Sequence, residues 1–96
     1  MPRLKWSPQA LRDVERLHDF LAEKSREAAR RAAEAILQGV KLLGKHPEIG
    51  RPAEGLSTEF REWVIEFGSV AYVALYRYDG KEVVILAVRH GCEAGY

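Results

Sequence analysis

Apolar positions along this chain change their period, from three and four residues in the first half to two in the second. Arg3–Trp6 alternates polar and apolar residues and reads as a short strand that pairs with the later sheet. Ser7 offers a side-chain acceptor to the free amides of a first helical turn, and Pro8 is preset for the first helical position, so a helix starts there. Leu11, Val14, Leu17, His18 and Leu21 then build one stripe, with His18 at its margin as a half-buried packing residue. Lys24-Ser25-Arg26 interrupts the pattern, and Ser25 caps a second helix carrying Ala29, Ala32, Ala33, Ile36, Leu37, Val40 and Leu43. Its alanine-rich first half lets the helices approach as an antiparallel hairpin, while its second half supplies bulk against a sheet. Gly44 and Pro47 are expected to end it.

Residues 46–57 contain Pro47, Gly50, Pro52 and Gly55 and read as a structured loop. Three strand-like segments follow: residues 60–67, 71–78 and 83–88. Gly68-Ser69-Val70 and Asp79-Gly80-Lys81-Glu82 separate them, which makes an antiparallel meander. In the first segment Arg61, Trp63, Ile65 and Phe67 oppose Phe60, Glu62, Val64 and Glu66, and the face with the two glutamates is the wetter. The second segment is apolar on both sides. The third has no polar residue, as fits a strand buried on both faces. The expected fold is α+β, a single domain over residues 1–96, with an N-terminal strand and an antiparallel helix hairpin packed on a twisted antiparallel β-sheet.

Composition and charge narrow the function. No apolar run nears the roughly 18 residues of a membrane span, so the expected setting is the cytoplasm, without a membrane. Cys92 has no second cysteine to pair with, and His18, His46 and His90 share no ligand spacing, so neither a metal nor another cofactor is expected. Residues 1–45 carry ten Lys or Arg against six Asp or Glu, and residues 46–96 carry five against eight. A basic helical half and an acidic sheet half disfavour a phosphate-binding site on the sheet. Arg26, Arg30 and Arg31 read first as the solvated side of the second helix, and also as a basic face open to an acidic partner.

The order of elements, together with His46-Pro47-Glu48-Ile49-Gly50-Arg51-Pro52, Phe60-Arg61-Glu62-Trp63, Tyr72-Val73-Ala74-Leu75-Tyr76-Arg77 and Val88-Arg89-His90, resembles the RelE/ParE superfamily of bacterial type II toxins. The resemblance covers essentially the whole chain. It implies a partner antitoxin that wraps the toxin and folds on binding, for which Arg26, Arg30 and Arg31 are the contact candidates. It also implies one of two actions. RelE-like members cleave mRNA in the ribosome, whereas ParE-like members inhibit DNA gyrase by binding.

Cleavage through a 2′-hydroxyl needs a base, cations for the developing phosphate charge and an acid for the leaving oxygen. The resemblance implies that RelE-like toxins place an arginine and lysines on the middle strands and an arginine and a tyrosine near the chain end. Aligned through Tyr76, the middle-strand positions fall at Val73 and near Val64 and Glu66, none of which is cationic. The reading is therefore a ParE-like gyrase inhibitor with no catalytic residues, whose target contacts are sought at Arg89, His90, Glu93 and Tyr96. The alternative is a ribosome-dependent mRNA endoribonuclease with a site improvised from Arg61, Arg77, Arg89, His90 and Tyr96. A second alternative is an inactive antitoxin-binding module.

Overall fold

A computed structural model describes residues 2–92 of the chain. β1 (Arg3–Trp6) leads into α1 (Pro8–Ala22) and α2 (Arg26–Lys45), followed by β2 (Arg51–Pro52), β3 (Phe60–Phe67), β4 (Val70–Tyr78) and β5 (Glu82–His90). The strands form one sheet in the order β1-β5-β4-β3-β2 with both helices on one face. β1 runs parallel to β5, and the other pairings are antiparallel. The long connection that a parallel pairing requires is here the helix hairpin together with β2, β3 and β4. β2 lies within the expected loop and pairs with Arg61 and Glu62. Pro52 is tolerated there because an edge strand does not need its missing N–H.

Both expected caps form. Ser7 Oγ accepts the Ala10 N–H at 3.0 Å, and Ser25 Oγ accepts the Ala28 N–H at 3.1 Å. Glu27 in the first turn of α2 and Lys45 in its last complement the helix dipole. Three helix expectations change, the first at Leu37, which stands 45% exposed on α2 rather than against the sheet. Leu11 stands 54% exposed, and the inward positions go to Ala10, Asp13 and Leu17, with Val14 and Leu21 packed beside them. Gly44 does not end α2; it lies buried inside the helix facing Leu4, and the chain leaves at His46, whose N–H donates to Leu42 O at 2.8 Å.

Gly39 fixes the approach of α2 to the sheet. A Cβ there would lie 2.7 Å from Ile65 Cγ1, and the indole N–H of Trp63 donates to the Gly39 carbonyl at 3.0 Å. A mid-helix glycine costs about 1 kcal/mol in propensity. Here it allows contact that any side chain would prevent. The core beneath joins Ile36, Val40 and Leu43 of α2 to Ile65, Tyr72, Tyr76, Val83, Ile85 and Val88 of the sheet.

β5 departs from the expectation of burial on both faces. Val83, Ile85 and Val88 are covered by the helices, while Val84 and Leu86 are half-buried, because among the described residues no element covers the other face at those positions. Between Ile85 and Ala87 the register slips: Tyr76 pairs with Ile85 and Leu75 with Ala87, leaving Leu86 as an extra residue. This β-bulge reverses the alternation of everything after it. Arg89 consequently points to the open face and His90 to the helix face. Two side chains hold the bulge where β1 has ended. Ser7 Oγ donates to Leu86 O at 3.0 Å, and the buried Asp13 carboxylate accepts the Val88 N–H at 2.9 Å.

Candidate functional site

The loop after α2 is held by side chains from the sheet. Tyr76 is fully buried, and its hydroxyl donates to Pro47 O at 2.7 Å while accepting the Gly50 N–H at 3.0 Å. Arg61, opposite Tyr76 on β3, donates through Nη1 to Glu48 O at 3.1 Å and Gly50 O at 2.8 Å. Gly50 must be glycine for this seat, since a Cβ would lie 2.5 Å from the Tyr76 hydroxyl. Burial pushes the Tyr76 phenol above its ordinary value, and the Gly50 N–H and the Arg61 charge oppose that in part. The motif of residues 46–52 and the motif around Tyr76 are thus two halves of one structural lock.

That lock presents Arg51 at the rim of a cleft of about 660 Å³ on the open face of the sheet, with Glu62, Leu75 and Arg89 among its lining. Glu62 stands between two cations, 3.2 Å from Arg51 Nε and 4.0 Å from Arg89 Nη2. The deeper pair is mostly shielded, at 16% exposure for the Glu62 side chain and 15% for Arg89. Val73, 4% exposed, pairs with Arg89 across the ladder. Val64, Val73 and Glu66 supply no cation to this face.

The four described residues of the improvised ribonuclease site, Arg61, Arg77, Arg89 and His90, do not converge. Arg77 and Arg89 lie on the open face, the latter beside Val73, which is four β4 positions or about 13 Å from Arg77. Arg61 and His90 lie on the helix face at an equal spacing, opposite Tyr76 and Tyr72. Arg77 pairs with Glu59 at 3.3 Å, and His90 Nδ1 accepts the Cys92 N–H at 3.0 Å. His90 also sets its ring edge-on to Tyr72, with centroids 5.6 Å apart. Glu93 and Tyr96 lie outside the described residues. Of the target-contact candidates, Arg89 and His90 face opposite sides and cannot share one flat contact.

The basic helix cluster is also altered by its neighbours. Arg30 sits between Glu27 and Glu34, the latter at 2.7 Å, and Arg31 reaches Glu27 at 3.2 Å. The Arg30 hydrogen bond and charge hold the Glu27 carboxyl below its ordinary value. Arg30 and Arg31 stand on the solvated side of α2, as read first, and are paired there with Glu27 and Glu34 of their own helix. His18 is half-buried and makes a hydrogen bond with Asp19 at 3.1 Å. Asp13 and Glu62 escaped the sequence reading. Asp13 had a visible signal, a carboxylate set into an apolar stripe, which needs a buried donor; Glu62 had none, because its role depends on cross-strand register.

Comparison with known proteins agrees with this architecture. The profile of the ParE toxin family, from parDE type II toxin-antitoxin systems, matches residues 4–95. The toxin RelE3 of Caulobacter vibrioides is 34% identical over 93 residues, covering 97% of this chain and 98% of that protein. The structure of a chromosomal ParDE toxin-antitoxin system from P. aeruginosa superposes with a TM-score of 0.76 at 29% identity, covering 94% of this chain and 96% of that one. The RelBE2 toxin-antitoxin complex of Mycobacterium tuberculosis shares the fold, with a TM-score of 0.65 at 24% identity over 94% of this chain and 99% of that one. The chain is accordingly a type II toxin that belongs to the ParE toxin family, within the RelE/ParE superfamily.

Proposed function

We propose that this toxin acts by binding DNA gyrase, with a cognate antitoxin to neutralise it. One observation carries the reading: among the described residues, the two arginines that meet on the open face of the sheet, Arg51 and Arg89, flank Glu62, which already answers their charge. Val73 and Glu66 stand where a ribonuclease would be charged, and Arg77 and Arg89 are engaged by Glu59 and Glu62. Removing one preorganised stabiliser of developing charge typically costs about 3 kcal/mol of activation free energy, so lacking several leaves little catalysis. A gyrase inhibitor needs only a surface with differential affinity for one state of its target. The cleft rimmed by Arg51, Glu62 and Arg89 is the proposed target face.

The match to a ParDE system supports the antitoxin partner. The name of the relative RelE3 favours the rival reading, mRNA cleavage on the ribosome. Purified toxin added to a gyrase supercoiling reaction, beside primer extension on mRNA from translating ribosomes, separates the two. Supercoiling should fall while the mRNA remains whole; codon-positioned cuts with supercoiling intact would reject the proposal. A protein silent in both assays that still binds its antitoxin would be the inactive module.

A further inference from the structure

β1 leaves an open backbone edge. In a parallel ladder every second residue bonds the neighbouring strand with both its backbone groups, and the residues between them point away. The Arg3 N–H donates to Lys81 O at 3.4 Å and the Ser7 N–H to Ile85 O at 2.9 Å. That phase makes Arg3, Lys5 and Ser7 the bonded residues. The N–H and C=O groups of Leu4 and Trp6 therefore face outward, and no strand lies beyond β1 among the described residues.

Beside this edge Pro2, Leu4, Gln38, Lys41, Leu42 and Lys45 help line a groove of about 550 Å³. Pro2, Leu4 and Leu42 supply its apolar surface, and Leu42 is 45% exposed. Lys41 and Lys45 make no ion pair among the described residues, and no carboxylate lines the groove. On the other face of the edge Lys5 meets Glu82 at 3.3 Å, while Arg3 is exposed with no carboxylate partner among the described residues.

We propose that this edge takes an extended, acidic segment of the antitoxin as a sixth strand. Strand addition would satisfy the outward groups of Leu4 and Trp6, and alternate side chains of the segment would enter the groove. Apolar ones would cover Leu4 and Leu42, and carboxylates would meet Lys41 and Lys45, with another reaching Arg3 on the far side. The inference rests on the antitoxin reading above and adds where and by what chemistry the partner is gripped.

Amide hydrogen exchange by NMR tests it, using labelled toxin with and without the purified antitoxin encoded beside its gene. In the free toxin the Leu4 and Trp6 amides should exchange rapidly while Lys5 and Ser7 are protected. In the complex the first two should slow by about 100-fold or more. A complex in which Leu4 and Trp6 stay fast overturns the edge and leaves the antitoxin reading standing; no complex at all overturns both. Lys41→Glu with Lys45→Glu, two exposed changes, should slow association about 10-fold at low salt, with the deficit shrinking as salt rises. An unchanged association rate overturns the acidic character assigned to the segment.

Discussion

Tyr76→Phe removes one oxygen and leaves the ring, so it opens no cavity and isolates the lock between sheet and loop. The lost hydroxyl gives up two hydrogen bonds, one to Pro47 O and one from the Gly50 N–H, the latter in a buried setting. At about 1 kcal/mol net for each bond, plus about 1 kcal/mol or more for a buried N–H left without an acceptor, the loss is about 3 kcal/mol. For a chain of this size that lowers Tm by on the order of 10 °C or more. Urea unfolding followed by tryptophan fluorescence measures it, because Trp63 is hydrogen-bonded to α2 and reports the sheet-helix contact. Arg61→Lys should be strongly non-additive with it, since both side chains hold the same loop. A change under about 0.5 kcal/mol for Tyr76→Phe would refute the account of the lock.

The same variant has a pH signature. Burial raises the phenol pKa of both Tyr76 and Tyr72 above the ordinary 10.0, so the folded state keeps protons that the unfolded state has already released. Stability from this source is fully present below pH 10 and is lost as pH climbs beyond it. Tyr76→Phe should flatten that alkaline decline in part, leaving the share that belongs to Tyr72. An identical slope above pH 10 in both proteins would contradict the assignment.

Three further outcomes are expected. Asp13→Leu strips the Val88 N–H of its buried acceptor and should cost about 2 kcal/mol or more by urea unfolding, with loss of toxicity exceeding the loss in Asp13→Asn, which keeps a carbonyl acceptor. Reversing Arg26, Arg30 and Arg31 together to Glu should change the antitoxin association rate less than reversal of Lys41 and Lys45, because the three arginines stand about 15 Å or more along α2 from the proposed edge; stopped-flow mixing at low salt compares them. Truncation after Gly91 leaves the Gly91 N–H to Ala71 O bond at 2.7 Å and all of β5 in place, so the protein should stay folded and bind antitoxin while inhibiting gyrase less; a large fall in Tm with loss of antitoxin binding would assign the tail a structural role instead.

What the sequence made legible was local. Ser7-Pro8 and Ser25 mark their helix starts because a cap is written in adjacent residues. The glutamates of β3 mark its open face for the same reason, a period of two with one wet side. Position across strands was not legible. The bulge at Leu86 leaves no mark in residues 83–88, since either register sets apolar residues inward, yet it decides that Arg89 and His90 part company. The rotation of α1 that exposes Leu11 hangs on Asp13 reaching the backbone of β5, seventy-five residues away along the chain. The arginines of α2 read as a solvated face, which they are, but their pairing with Glu27 and Glu34 was not visible in their count.

The central claim is inhibition by binding without turnover, and stoichiometry tests it most directly. At fixed gyrase, supercoiling should fall in proportion to added toxin until the two are near equimolar, with cleaved DNA accumulating and activity returning when antitoxin is added. mRNA cut at positions set by the ribosome, with many cuts per toxin molecule and gyrase unaffected at the same concentrations, would contradict it.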